Sequence, residues 1–167
     1  MKYLLSIFLL LQSFIFHVKH DNYTGKQNTN TEAVQNPPLN FPKVVFDYKV
    51  SDLDKNMLDS LRYVIKAMNR NAKLIVMING HASQNEGTNM EKLLLSEKRC
   101  MVCLKYFISQ GIDSSRFKTK AWGDSLPTKG SDKEEIRRLA TKEERDAAYA
   151  KNRRVQFELI KNEYSYK

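Results

Sequence analysis

With 167 residues, 41% of them hydrophobic, the chain has room for one compact domain with a core and not for two. Its formal charge of +9 is dispersed, with acidic residues interleaved almost everywhere. That pattern suits a soluble protein beside a polyanion and excludes the clustered basic stripe of a nucleic-acid reader.

The chain opens with MKYLLSIFLLLQSFIF, in which Lys2 precedes fourteen mostly apolar residues, Tyr3 to Phe16. Residues 1–19 have the length and order of a secretory signal. No A-x-A cleavage pattern follows, so an uncleaved membrane anchor stays open beside it, although the run is shorter than the ~20 residues that span a bilayer as a helix. Residues 20–42 are rich in Asn, Thr, Gln and Pro with little to bury, and are expected to form a disordered polar linker. The folded domain is expected over 43–167.

In that region strand and helix signals alternate. KVVFDYK, Lys43 to Lys49, has the content of a strand. Ser51 with Asp54 gives a capping-box signature, and Leu53, Met57, Leu61, Val64, Ile65 and Met68 repeat at helical spacing, predicting a helix over 52–70. KLIVMING, Lys73 to Gly80, fits a central strand flanked on both edges. A second helix is expected over 89–110, with Gly111 as a left-handed C-cap. RFKTKAW alternates as a half-buried strand, 132–150 as a third helix, and RRVQFELI as a strand with Val155, Phe157 and Leu159 on one face. The order βαβαβαβ predicts an α+β, two-layer domain, with helices packed on one face of a four-stranded mixed sheet.

The segments VVFDYKVSDLD, INGHAS, LSEKRC, YFISQGI, AWGDSLP and KNRRVQFEL occur in this order over about 44–160. Together they resemble the OmpA-like C-terminal domain, the peptidoglycan-binding module of Gram-negative envelopes. The resemblance implies a site for the diaminopimelate of the stem peptide, where a carboxylate and an ammonium share one carbon. Such a zwitterion needs a cation and an anion held apart. The family's arginine falls on Arg99 through Leu95 and Ser96, and a guanidinium can take a carboxylate with two parallel hydrogen bonds. The family's aspartate, from G-H-T-D, is replaced: Ala82 stands for the threonine and Ser83 for the aspartate, in a loop one residue longer than usual. Glu86 is the loop carboxylate that could face the ammonium instead. Losing a charge-assisted partner in a dry site costs about 2 kcal/mol, so weaker or altered recognition is expected. Lys92 stands where the family often has asparagine.

Asn152 and Arg153 match the family's last motif, NRRV. Asn152 is read as fixing the turn into the strand, and Arg153 or Arg154 either as structural or as cationic support beside the glycan. Cys100 and Cys103 form C-x-x-C but fall mid-helix, where the family carries alanine and valine, so burial as small apolar residues is expected over redox chemistry. His81 is expected to pack at the strand end. Only His81 could join the cysteines as a metal ligand, no nucleophile, base and orienter assemble, and no phosphate-cradling glycine loop is present.

The expected function is therefore non-catalytic peptidoglycan binding in the periplasm or cell envelope, associated with the outer membrane, without cofactor, metal or nucleic acid. Other envelope proteins are the further partners considered, and membrane association would come only through the N-terminal segment if uncleaved. The alternative is an envelope interaction protein of the same fold whose wall binding is lost or altered.

Overall fold

The structure is a computed structural model and describes residues 40–160. The expected leader 1–19, nearly all of the expected linker and the end of the chain from 161 onward lie outside the described residues. The linker's last residues do not behave as a tether. Phe41 is buried in the core and meets the ring of Tyr63 edge-on at 6.4 Å, so core packing starts before Lys43.

The strands are β1 (Val44–Val45), β2 (Ile75–Gly80), β3 (Phe117–Ala121) and β4 (Arg154–Ile160), in one sheet of order β1-β4-β2-β3. β2 runs parallel to β3, and β4 is antiparallel to both β2 and β1. The sheet is thus mixed, as expected, with β2 internal. The helices are α1 (Leu58–Arg70), α2 (Asn89–Ser109), α3 (Lys133–Arg137) and α4 (Lys142–Asn152). Helices α1 and α2 bury Leu61, Val64, Met68, Cys100, Cys103 and Phe107 against Val76, Ile78, Phe117, Val155 and Phe157 of the sheet. Phe107 anchors this layer, stacked on Phe117 at 4.9 Å and edge-on to Phe157 at 5.5 Å.

Three elements differ from the sequence reading, each for a local reason. β1 is two residues rather than seven: after the Phe46 N–H bonds the Arg153 carbonyl, the chain turns away through Asp47–Val50, with Lys49 at φ 58°. Helix α1 starts at Leu58 because Asp54 accepts hydrogen bonds from the N–H groups of Asn56 and Met57, closing a turn in place of a box with Ser51. The expected third helix is two. Asp132 with Glu135 and Thr141 with Glu144 each form a complete capping box, and the second restarts the helix after Leu139 and Ala140. The expected C-cap is present, with Gly111 at φ 83°.

This topology gathers four chain segments at one end of the sheet. Gly80, the last residue of β2, pairs with Val155 near the start of β4 and with Ala121 at the end of β3. β1 leaves the sheet at the same end, because Val45 pairs with Arg154. The loop after β2, the turn after β3, the α4–β4 corner and the Asp47–Val50 turn therefore meet there.

Candidate functional site

The loop after β2 is shaped by its own hydrogen bonds. The Ala82 N–H bonds the Gly123 carbonyl, and the Glu86 N–H returns to the Ser83 carbonyl. Gly87, at φ 125°, then turns the chain into α2, which Thr88 and Glu91 cap reciprocally. Beyond the cap, Lys92 is buried and pairs with Asp124, fastening α2 to the turn after β3.

Three helical turns into α2, Arg99 points back under the loop and is 0% exposed. Its Nε donates to the Val50 carbonyl at 2.9 Å. Nη1 donates to the His81 carbonyl and to Glu86 Oε2, both at 3.0 Å. Nη2 donates to the Asp47 carbonyl at 3.1 Å and to Glu86 Oε1 at 2.7 Å. A guanidinium has five N–H donors, so every one is taken. The Phe46 ring lies 5.1 Å from the guanidinium carbon and covers it.

Glu86 is equally committed. Besides Arg99, its two oxygens accept from the backbone N–H groups of Lys49 and Ser83, each at 2.8 Å. Burial alone would raise its carboxyl, but the Arg99 hydrogen bonds, the Ser83 N–H, the guanidinium charge and the Lys49 N–H together hold it below the usual carboxylate range. The pair ties the Asp47–Val50 turn, the loop and α2 into one unit.

This corrects the geometry that the resemblance implies. Arg99 does not present an open fork, because Glu86 fills it from within, and Glu86 faces the guanidinium rather than a ligand ammonium. Ser83 is also enclosed, at 0% exposure, with its hydroxyl bonded to the Asn85 side chain. An aspartate at that position would set a second buried carboxylate beside Glu86 rather than opposite a ligand. Asn152 is a structural hub. Its Nδ2 donates to the Ser131 carbonyl and Gln84 Oε1, while its Oδ1 accepts from the Thr128 N–H, at distances of 2.8 to 3.1 Å.

Arg153 is placed differently from Arg99. Its Nε donates to the Phe46 carbonyl at 3.0 Å, and the side chain lines an open cavity of about 370 Å³ together with Tyr48, Asn85 and Asp146. Tyr48 donates its hydroxyl to the Asn85 carbonyl at 3.0 Å, holding one wall of the cleft. Tyr48, Asn85 and Asp146 were not legible as site residues.

His81 is buried, as expected, and its pKa is lowered to about 3, by burial first and the Arg154 charge second. Neither ring nitrogen has a hydrogen-bond partner among the described residues. The unfolded imidazole protonates near 6.5 and the folded one near 3. Between those values the unfolded state binds the additional proton, so stability falls by about 1.4 kcal/mol for each unit of acidification. Glu86 adds to the loss only below about pH 4.5, where the unfolded carboxylate begins to protonate. Urea unfolding at pH 6.5 and pH 5 should therefore show a loss of about 2 kcal/mol that His81→Leu abolishes. Equal losses in the two proteins would assign the acid sensitivity elsewhere.

Both cysteines are buried, and burial pushes Cys100 up to about 12 and Cys103 also upward. The Cys100 thiol lies 3.5 Å from the carbonyl oxygens of Ile78 and Lys120. Neither thiol is expected to react with iodoacetamide at pH 7 until denaturant is added, and the Cys100→Ala, Cys103→Val double variant should keep the native fold. Rapid labelling of the folded protein would contradict this.

The model of the OmpA family matches residues 45–141, more than half of the chain. Among solved structures, the chain is similar to the peptidoglycan-associated lipoprotein from Burkholderia pseudomallei, at 18% identity and a TM-score of 0.57, covering 71% of this chain and 89% of that one. It is also similar to the C-terminal domain of MotB from Helicobacter pylori, at 13% identity and a TM-score of 0.57, covering 73% and 86%. The cell wall anchor of the T6SS from Pseudomonas aeruginosa matches at 18% identity and a TM-score of 0.52, covering 71% and 76%. At these identities the likeness establishes the fold. No curated protein matches the sequence.

Proposed function

The chain belongs to the OmpA family, and from that premise we propose that it is a non-catalytic peptidoglycan-binding module of the cell envelope. It would work in the periplasm, associated with the outer membrane, and would hold the wall through diaminopimelate-type stem peptides. The observation that carries this reading is the open cleft beside the loop after β2, which offers a cation, Arg153, and an anion, Asp146, to one ligand. The buried titratable groups of the domain support binding rather than catalysis. Glu86 is ionised and fully hydrogen-bonded, His81 is neutral and enclosed, and the thiols are protonated, so none is poised to exchange a proton near neutral pH.

A second reading, an envelope interaction protein without wall binding, draws on one observation: the Arg99 fork is closed by Glu86 and no acid stands at Ser83. Co-sedimentation with purified sacculi decides between them. The proposed function predicts saturable pelleting that soluble muropeptide reverses; a protein that stays in the supernatant at every sacculus concentration belongs to the second reading.

A further inference from the structure

Given the peptidoglycan reading, on which this inference rests, the question is which group receives the ligand carboxylate. Arg99 has no donor to give without breaking a buried ion pair, since its five N–H groups are all used inside the protein. Arg153 has the opposite arrangement. Its Nε is fixed on the Phe46 carbonyl, which holds the guanidinium, while neither Nη has a protein partner among the described residues. The remaining N–H groups form a planar fork, the geometry that takes a carboxylate with two parallel bonds.

The cleft wall supplies the complement. Asp146 lies on α4 and pairs through Oδ2 with Lys142, leaving Oδ1 without a partner among the described residues. Arg153 and Asp146 make no ion pair with each other among those residues, so the Arg153 Nη groups and the Asp146 Oδ1 remain for a third party, although Lys142 already shares the Asp146 charge. Tyr48 is half exposed and fixed by its hydroxyl on Asn85, so its ring is held as part of the same cleft lining.

We propose that the cleft of Tyr48, Asn85, Asp146 and Arg153 is the zwitterion site of this chain, with Arg153 taking the carboxylate and Asp146 the ammonium of an amino-acid terminus. Recognition has moved from the buried arginine of α2 to the half-buried, cleft-lining arginine of the α4–β4 corner. The buried pair keeps the task of holding the loop and the Asp47–Val50 turn, and so the positions of Tyr48 and Asn85.

The test is calorimetric titration of the full chain with a diaminopimelate-containing muropeptide and with the same muropeptide amidated at the side-chain carboxylate. Arg153→Gln should weaken binding of the free acid at least tenfold and leave the already weak binding of the amide unchanged. Asp146→Asn, on an exposed helix face, should weaken both ligands by a similar factor. Wild-type affinity for the free acid in Arg153→Gln, or an equal loss on both ligands, overturns the assignment while sacculus binding by the wild type leaves the proposed function standing. If the wild-type chain binds neither sacculi nor muropeptide, the proposed function fails and the site with it.

Discussion

Arg99→Ala is expected to cost about 3–5 kcal/mol of folding stability, the range for removing one partner of a buried ion pair. The loss comes from what stays behind: the buried Glu86 carboxylate and His81 carbonyl lose donors in a place water does not reach, and the part-buried carbonyls of Asp47 and Val50 lose theirs as well. Glu86→Gln should fall in the same range, since an amide nitrogen would then face a guanidinium or an N–H donor. Arg99→Lys recovers only part of the loss, because an ammonium offers three donors where five acceptor positions are filled. Replacing both partners by Met and Leu should cost less than the sum of the single changes, since it removes both charges together. Urea unfolding of the four variants measures this, and a loss below about 1 kcal/mol in Arg99→Ala would show that the pair is not buried in solution.

Gly80→Ala is the second large effect, expected at about 3 kcal/mol. α2 crosses β2 so closely here that a Cβ on Gly80 would stand 2.2 Å from the Ser96 carbonyl oxygen and 2.5 Å from the Cys100 sulfur. The first neighbour is helix backbone and cannot rotate aside, so α2 must lift, and Arg99 lies one helical turn beyond Ser96. Gly111→Ala is the contrast: nothing lies within 4 Å, but its φ of 83° costs about 1–2 kcal/mol through the left-handed backbone alone. Thermal unfolding should rank Gly80→Ala clearly below Gly111→Ala, and the reverse order would contradict the close crossing.

Much of this fold is legible because its core elements carry strong periodicity. The 3.6-residue spacing of Leu61, Val64 and Met68 and the alternation of Val155, Phe157 and Leu159 each allow one buried face. The errors fall where short polar side chains compete with the regular pattern. Asp54 holds a turn where a helix start is expected, and Thr141 with Glu144 restarts a helix inside a stretch free of Gly and Pro.

At the site, Arg99 and Glu86 are both legible as functional candidates, but their mutual pairing is not. Thirteen residues and a helix cap separate them, and three of the five acceptors on Arg99 are backbone carbonyls, to which side-chain identity gives no clue. Asp146 reads as one charge among many on a solvated helix, and only the fold brings it to the cleft with Arg153, Tyr48 and Asn85. A buried, saturated ion pair gives little net stability over a well-packed apolar substitute. It does fix geometry, and here it holds three segments on which an open site depends.

The closed fork is tested most directly by nitrogen-edited NMR of the arginine side chains, with the Glu86 carboxyl carbon labelled, before and after saturation with muropeptide. The buried pair predicts a slowly exchanging Arg99 Nε–H and a Glu86 carboxyl resonance that both stay in place while the Arg153 signals move. Joint displacement of the Arg99 and Glu86 resonances on saturation, with Arg153 unmoved, would mean that the ligand replaces Glu86 in the fork, and would contradict the account.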